Sequence, residues 1–230
     1  MNTINIAVDC MGSETSPYEI LEGINESALR NENLFFTLFG KSADLNKIVE
    51  KISPLNARSK IINCDEQVLM TDKPTDAIRL KKNSSMQLSI DHVVSGKSNA
   101  ILSCGNTGAL MAISLLKLRT VASIKRPSIA SIWPNIKGES IVLDLGANIK
   151  NDTNSLIDNA ILGSALAKVL FSMTEPSVGL LNVGIEDMKG NENVQKASEI
   201  LSEMSNKKQL NYYGFVEGAD ISNGITNVIV

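Results

Sequence analysis

The chain has 230 residues, 43% hydrophobic and 20% charged, a composition that excludes disordered, collagen-like and disulfide-scaffold classes. Lys and Arg number 22 against 25 Asp and Glu, so the formal net charge of -3 advertises no nucleic-acid partner and any cationic patch must be local. Three cysteines without metal-ligand spacing suit a reduced cytoplasmic protein, and the lone His92 excludes a multi-histidine metal site.

The amino terminus carries no early basic residue and an acid at position 9, so it reads as a first buried strand and not as a signal peptide. From there the apolar periodicity predicts strand 4–9, helix 17–30, strand 34–39, helix 43–51, strand 60–63, helix 84–95, strand 100–103 and helix 107–118. Strands 129–133 and 140–144, helix 155–171, strand 177–182, helix 193–205 and strands 212–216 and 227–230 follow. The uncharged stretch 98–116 is interrupted by Ser103, Gly105, Asn106 and Thr107, which makes it a strand, turn and helix, not a membrane span. The alternation is that of an α/β fold, a mainly parallel sheet with helices on both faces, expected as one body over 1–230. The last four residues, Asn-Val-Ile-Val, have the composition of a buried strand, so a chain incomplete at its carboxyl end is expected.

The strongest local signal is Ser103-Cys104-Gly105-Asn106-Thr107-Gly108, where a strand turns through glycines into a helix. Glycine permits a tight turn and close approach of an anion, and the unpaired amides of a first helical turn point at it. A plain capped turn with Asn106 or Thr107 as the cap explains the same residues. The Gly-Lys-Ser triplets at 40–42 and 96–98 lack the preceding P-loop glycine and are decoys. His92 is expected to face solvent, opposite a stripe of Met86, Ile90, Val93 and Val94 on its helix, and Cys104 is expected to be a small buried packing residue. Around residues 73–86, Lys73, Arg79, Lys81 and Lys82 precede Ser84 and Ser85, a set able to hold phosphate or an acidic partner, or simply to form a solvated face. Asp144 with Asn148, and Asn182 with Glu186 and Lys189, close two further strands; such carboxyl ends are where open α/β sheets bind ligands, and a shared crevice with the Gly105 turn is expected.

Taken together and in order, these segments resemble the PlsX-type phosphate acyltransferases of bacterial phospholipid synthesis. The matching pieces are 7–12, 73–86, 103–111, 143–148, 179–186 with 189–190, and 214–218. Residues 12–17, Gly-Ser-Glu-Thr-Ser-Pro, stand where the family usually has Gly-Gly-Asp and then Ala-Pro, and Cys104 stands where alanine is usual. The resemblance implies a fold like that of isopropylmalate dehydrogenase and phosphotransacetylase. It also implies a cytoplasmic, commonly dimeric enzyme, peripheral at the membrane, that moves an acyl chain from acyl carrier protein onto inorganic phosphate without a cofactor or metal.

The chemistry of the residues agrees. Phosphate is already an anionic nucleophile at neutral pH, so a chain with one histidine can still catalyse this transfer if it supplies proximity, an anion cradle and oxyanion donors. Asn106 and Lys82 are the catalytic candidates. Ser103, Gly105, Thr107, Gly108, Ser84, Ser85, Asp144, Asn148, Asn182, Glu186 and Lys189 are the candidates for substrate binding, and Arg79 and Lys81 for carrier-protein docking. Two rivals stay open: a phosphate or acidic-protein binding module without turnover, and a phosphotransacetylase-like enzyme or dehydrogenase with another substrate.

Overall fold

The computed structural model describes residues 3–121, 123–148, 152–184 and 190–230. These fall into two compact units, Met1–Arg119 and Thr120–Val230, each with its own sheet and core, where the sequence leads one to expect a single body.

In the first unit, β1 (Ile4–Asp9) lies between β2 (Leu34–Gly40) and β4 (Ala100–Ser103), with β3 (Ser59–Asn63) outside β2, all parallel. A strand packed on both faces must be apolar without alternation, and β1 ends in the fully buried run Ala7, Val8, Asp9. Helix α1 (Pro17–Arg30) starts where the Ser16 hydroxyl accepts the Tyr18 amide and Pro17 supplies a preset φ at the first helical position. It buries Ile20, Leu21, Ile24 and Ala28 against Val8, Phe36 and Leu38. Helices α2 (Ser42–Val49) and α3 (Pro74–Leu80) follow, and then α4 (Ser85–Val94) and α5 (Thr107–Leu118). A separate cluster of Val68, Ala77, Met86, Ile90, Ala109 and Ile113 joins α3, α4 and α5.

Periodicity does not reveal α3, because its seven residues bury only Ala77 fully. Helix α4 also corrects two expectations. Val94 is exposed, while His92 is half-buried with its ring edge-on to Phe39 at 5.3 Å and Nδ1 2.8 Å from the Ser98 hydroxyl. Burial first, and the charges of Lys97 and Lys60 after it, push the His92 pKa down.

The second unit orders its strands β5 (Ser131–Asn135), β6 (Gly138–Val142), β9 (Val228–Ile229), β7 (Ser177–Leu181) and β8 (Asn211–Val216). Its helices are α6 (Thr153–Leu170), α7 (Glu192–Asn206) and α8 (Gly218–Asn223). Strands β5 and β6 are antiparallel, two residues later and two residues earlier than expected, because a two-residue link admits a hairpin and no crossover helix. Pro134 fits there because β5 is an edge strand.

Strand β9 pairs in parallel with both β6 and β7, so the last residues of the chain sit at the centre of their sheet. Helix α6 crosses it at Gly163, where a Cβ would overlap Val228 Cγ1 and stand 2.8 Å from Leu143 Cδ1. Gly163→Ala gains about 1 kcal/mol of helix propensity and meets an overpacking penalty of about 1–3 kcal/mol, so we expect a net loss of up to about 2 kcal/mol. Urea unfolding is the check: the midpoint should fall with its slope unchanged.

Candidate active site

The carboxyl ends of β1 and β4 meet at Asp9, which is 1% exposed. A buried carboxylate without a cation must be satisfied by donors, and three are present. The Ser85 hydroxyl, at the start of α4, donates to Oδ1 at 2.5 Å; the Ser103 hydroxyl, at the end of β4, donates to Oδ2 at 2.8 Å. The Met11 amide donates to Oδ1 at 3.3 Å. Ser103 Oγ also accepts the Gly105 amide at 3.2 Å, so the carboxylate holds the glycine turn through one hydroxyl.

Gly12 and Gly105 are required where these two turns pass each other. A Cβ on Gly105 would stand 3.1 Å from the Gly12 carbonyl oxygen, and one on Gly12 2.9 Å from Asp9 Oδ2. The adjoining thiols divide by burial: Cys10 and Cys64 are buried and Cys104 is exposed, against the expectation of a packed Cys104. Burial, and then the charge of Asp9, pushes the Cys10 thiol far up and Cys64 up to about 11, so neither is a thiolate nucleophile at neutral pH.

Asn106 caps α5 by accepting the Ala109 amide at 3.0 Å. Its own amide hydrogens go to three backbone carbonyls, Leu69 at 3.1 Å, Met70 at 3.0 Å and Asp72 at 2.9 Å. The expected oxyanion donor therefore spends its donors on clamping the 69–72 loop. The same loop is tied by Lys81, whose ammonium reaches the Gln67 carbonyl at 2.9 Å and Asp72 Oδ2 at 2.5 Å. Lys81, expected to dock a carrier, is thus an internal ion pair, while Arg79 is exposed on α3. That pair, with the Leu69 amide donating to Asp72, holds the Asp72 carboxyl below the usual range.

Ser84 caps α4 from a fully buried position, and Ser85 is equally buried, so both hydroxyls serve the fold. Thr107 and Gly108 are exposed at the amino end of α5, and their amides have no acceptor among the described residues. Lys82 does not join them. It lines a dent with Ile113, Leu116 and Lys117, on the carboxyl-terminal half of α5.

In the second unit, Asp144 Oδ1 accepts the Ile129 and Ala147 amides at 2.9 and 3.3 Å, and Oδ2 accepts both the backbone and side-chain N–H of Asn148 at 2.8 Å. Asp144 and Asn148 thereby close their own turn. The Asn182 amide donates to the Val216 carbonyl, and its side chain lies where a Cβ on Gly190 would have to go. Glu186 and Lys189 lie outside the described residues. The sequence reading missed Asp9 as the organiser, although an acid closing an apolar buried strand was the signal for it. It also missed the Lys81–Asp72 pair, which joins residues nine apart across a helix.

A profile for the family described as "Fatty acid synthesis protein" matches residues 4–230. A protein of Azorhizobium caulinodans named "Phosphate acyltransferase" is 46% identical over 228 residues, covering 99% of this chain and 64% of that protein. One of the same name from Bradyrhizobium diazoefficiens is 44% identical over 231 residues, covering 100% of this chain and 65% of its own length. The chain therefore spans just under two thirds of these relatives. Among solved structures, a phosphotransacetylase from Streptococcus pyogenes superposes with a TM-score of 0.72 at 16% identity, over 99% of this chain and 77% of that one, a likeness of fold.

Two outcomes follow from the clamp. Asn106→Ala deletes a cap worth about 1 kcal/mol and strands three carbonyls, so we expect a loss of about 2–4 kcal/mol and faster amide hydrogen exchange across 66–73. The Asp72 pair acts in acid only. Its folded pKa lies below the unfolded value of about 3.9, so its stabilisation is complete above that pH and disappears as pH falls through the folded value. Loop protection followed by hydrogen exchange should be flat from about pH 5 to 8 and drop below about pH 4, and Lys81→Met should flatten the acid limb.

Proposed function

The chain belongs to the family of fatty acid synthesis proteins, and from that membership we propose that it is a phosphate acyltransferase, moving an acyl group from a carrier-protein thioester onto inorganic phosphate. The observation that carries this reading is the exposed pair of amides at Thr107 and Gly108, on a turn immobilised by Asp9, Ser103 and Asn106.

The reaction needs little from side-chain acids and bases. A phosphate oxygen attacks the thioester carbonyl, a C–O bond forms, the C–S bond breaks, and the departing thiolate takes a proton from water. Amides at the start of α5 neutralise phosphate, aided by the helix dipole, and a donor aimed at the developing oxyanion contributes about 3 kcal/mol. In this reading Asn106 is a positioning residue: it fixes both the cap of α5 and the 69–72 loop beside it. Ser103, Ser84 and Ser85 likewise build the turn from within. Asp144, Asn148, Asn182, Glu186 and Lys189 remain proposed substrate contacts of the second unit. A homodimer, cytoplasmic and peripheral at the membrane, completes the proposal; no helix among the described residues is long and apolar enough to cross a membrane.

The test is release of carrier thiol from acyl-carrier protein as phosphate is titrated. We expect no release without phosphate, saturation with it, and no loss on adding a chelator. Gly108→Val, whose Cβ would stand 3.3 Å from Pro74 Cγ, should weaken the phosphate dependence about tenfold while the circular dichroism spectrum is kept. Phosphate binding by calorimetry without thiol release would replace the enzyme with a binding module. Phosphate-dependent turnover of acetyl-coenzyme A in preference to the carrier substrate would favour a phosphotransacetylase, the kind of protein whose fold this chain shares.

A further inference from the structure

One surface of the first unit is left unused by the turn chemistry. Between α3, α4 and the end of α5 lies a dent of about 300 Å³ with a floor of Ile78, Ile113 and Leu116 and a rim of Lys82, Lys117 and Asp91. Gln87, 3% exposed, fixes its shape by donating to the Ala77 and Ile78 carbonyls at 2.8 and 3.1 Å, which holds α3 onto α4. Leu116, which lines the dent, is 60% exposed, so an apolar side chain stands at its mouth among the charges.

The charges decide what such a surface fits. Asp91 is neutralised by Lys117, whose ammonium reaches both carboxylate oxygens at 2.7 and 2.8 Å. Lys81 is consumed by Asp72. That leaves Arg79 and Lys82 exposed with no ion-pair partner among the described residues, a local positive field on a chain whose net charge is -3. We propose that this face docks an acidic protein that inserts one apolar side chain between Lys82 and Lys117, and, resting on the function proposed above, that this partner is the acyl carrier protein.

Concavity argues for a protein over a lipid surface. An apolar knob fills a 300 Å³ dent, whereas a flat bilayer leaves it as an empty hollow over Ile113. Buried apolar anchors set how long such complexes last, and rim charges mainly set how fast they form and how steeply salt weakens them. The geometry therefore assigns separate jobs: Leu116 to residence, Lys82 and the exposed Arg79 to approach.

The experiment is fluorescence anisotropy of labelled, unacylated carrier protein titrated with the 230-residue chain at low salt and at about 0.15 M, where exposed charges are screened beyond about 8 Å. We expect binding that weakens with salt, about tenfold or more loss in Leu116→Asp, and a reduced salt dependence in Lys82→Glu. Leu29→Asp, an exposed substitution on α1, should bind as the wild type does. Circular dichroism of each variant separates lost contact from lost fold, and the milder Lys82→Gln and Leu116→Ser replace any variant that unfolds. Absence of wild-type binding, variants that bind unchanged, or variants that lose anionic vesicles while keeping the carrier each overturn the proposal. The two readings fail separately. Carrier binding in a chain that never releases thiol removes the transferase alone, and phosphate-dependent turnover of acyl-pantetheine without carrier binding removes the docking surface alone.

Discussion

A buried carboxylate with no cation paired to it among the described residues, Asp9, is the constraint on which the first unit depends. It sits at the end of the central strand β1, and beyond the neighbouring Met11 amide its oxygens are satisfied by hydroxyls brought from distant parts of the chain. Ser85 comes from the start of α4 and Ser103 from the end of β4, so one side chain ties strand, strand and helix at a single point. An unmet buried charge is far more costly than a missing apolar contact, which makes this junction intolerant of sliding. The Gly105 turn inherits that rigidity through Ser103, and the close passage of Gly12 and Gly105 follows from it.

Rigidity there is what an anion site of backbone amides needs. Amides have no rotamers to adjust, so their aim is set wholly by the turn that carries them, and preorganised donors act without reorganising during reaction. The surrounding polar side chains accordingly look inward. Asn106 and Lys81 hold the 69–72 loop from two sides, and Ser84 caps α4. Among the described residues of this turn, the amides at Thr107 and Gly108 are left without an acceptor, at exposed positions. Acyl transfer to phosphate suits such a site because the nucleophile arrives charged.

The second unit uses a different device. A two-residue strand, β9, is inserted between β6 and β7, and Gly163 on α6 leaves room for its Val228, while Gly179 on β7 leaves room for Val216 of β8. Short as it is, β9 joins the β5–β6 pair to the β7–β8 pair, which share no other ladder among the described residues.

The sequence by itself determined the class of fold, most element boundaries and the family. These follow from local quantities: period-3.6 stripes such as Ile20, Leu21, Ile24 and Ala28, unbroken apolar strands such as β1, and caps at Ser16 and Asn106. Elements with little local signature escaped it, among them α3, with one fully buried residue, and the antiparallel pairing of β5 and β6. Tertiary structure alone decided which polar groups are occupied. Asn106, Lys81, Ser84 and Ser85 have the composition of a ligand site, but the carbonyls of residues 69–72, the Asp72 carboxylate, the amide of Gln87 and the buried Asp9 claim them first. Those partners lie up to 76 residues away in the chain, and a hydrogen bond depends on distance in space, which no spacing along the sequence records.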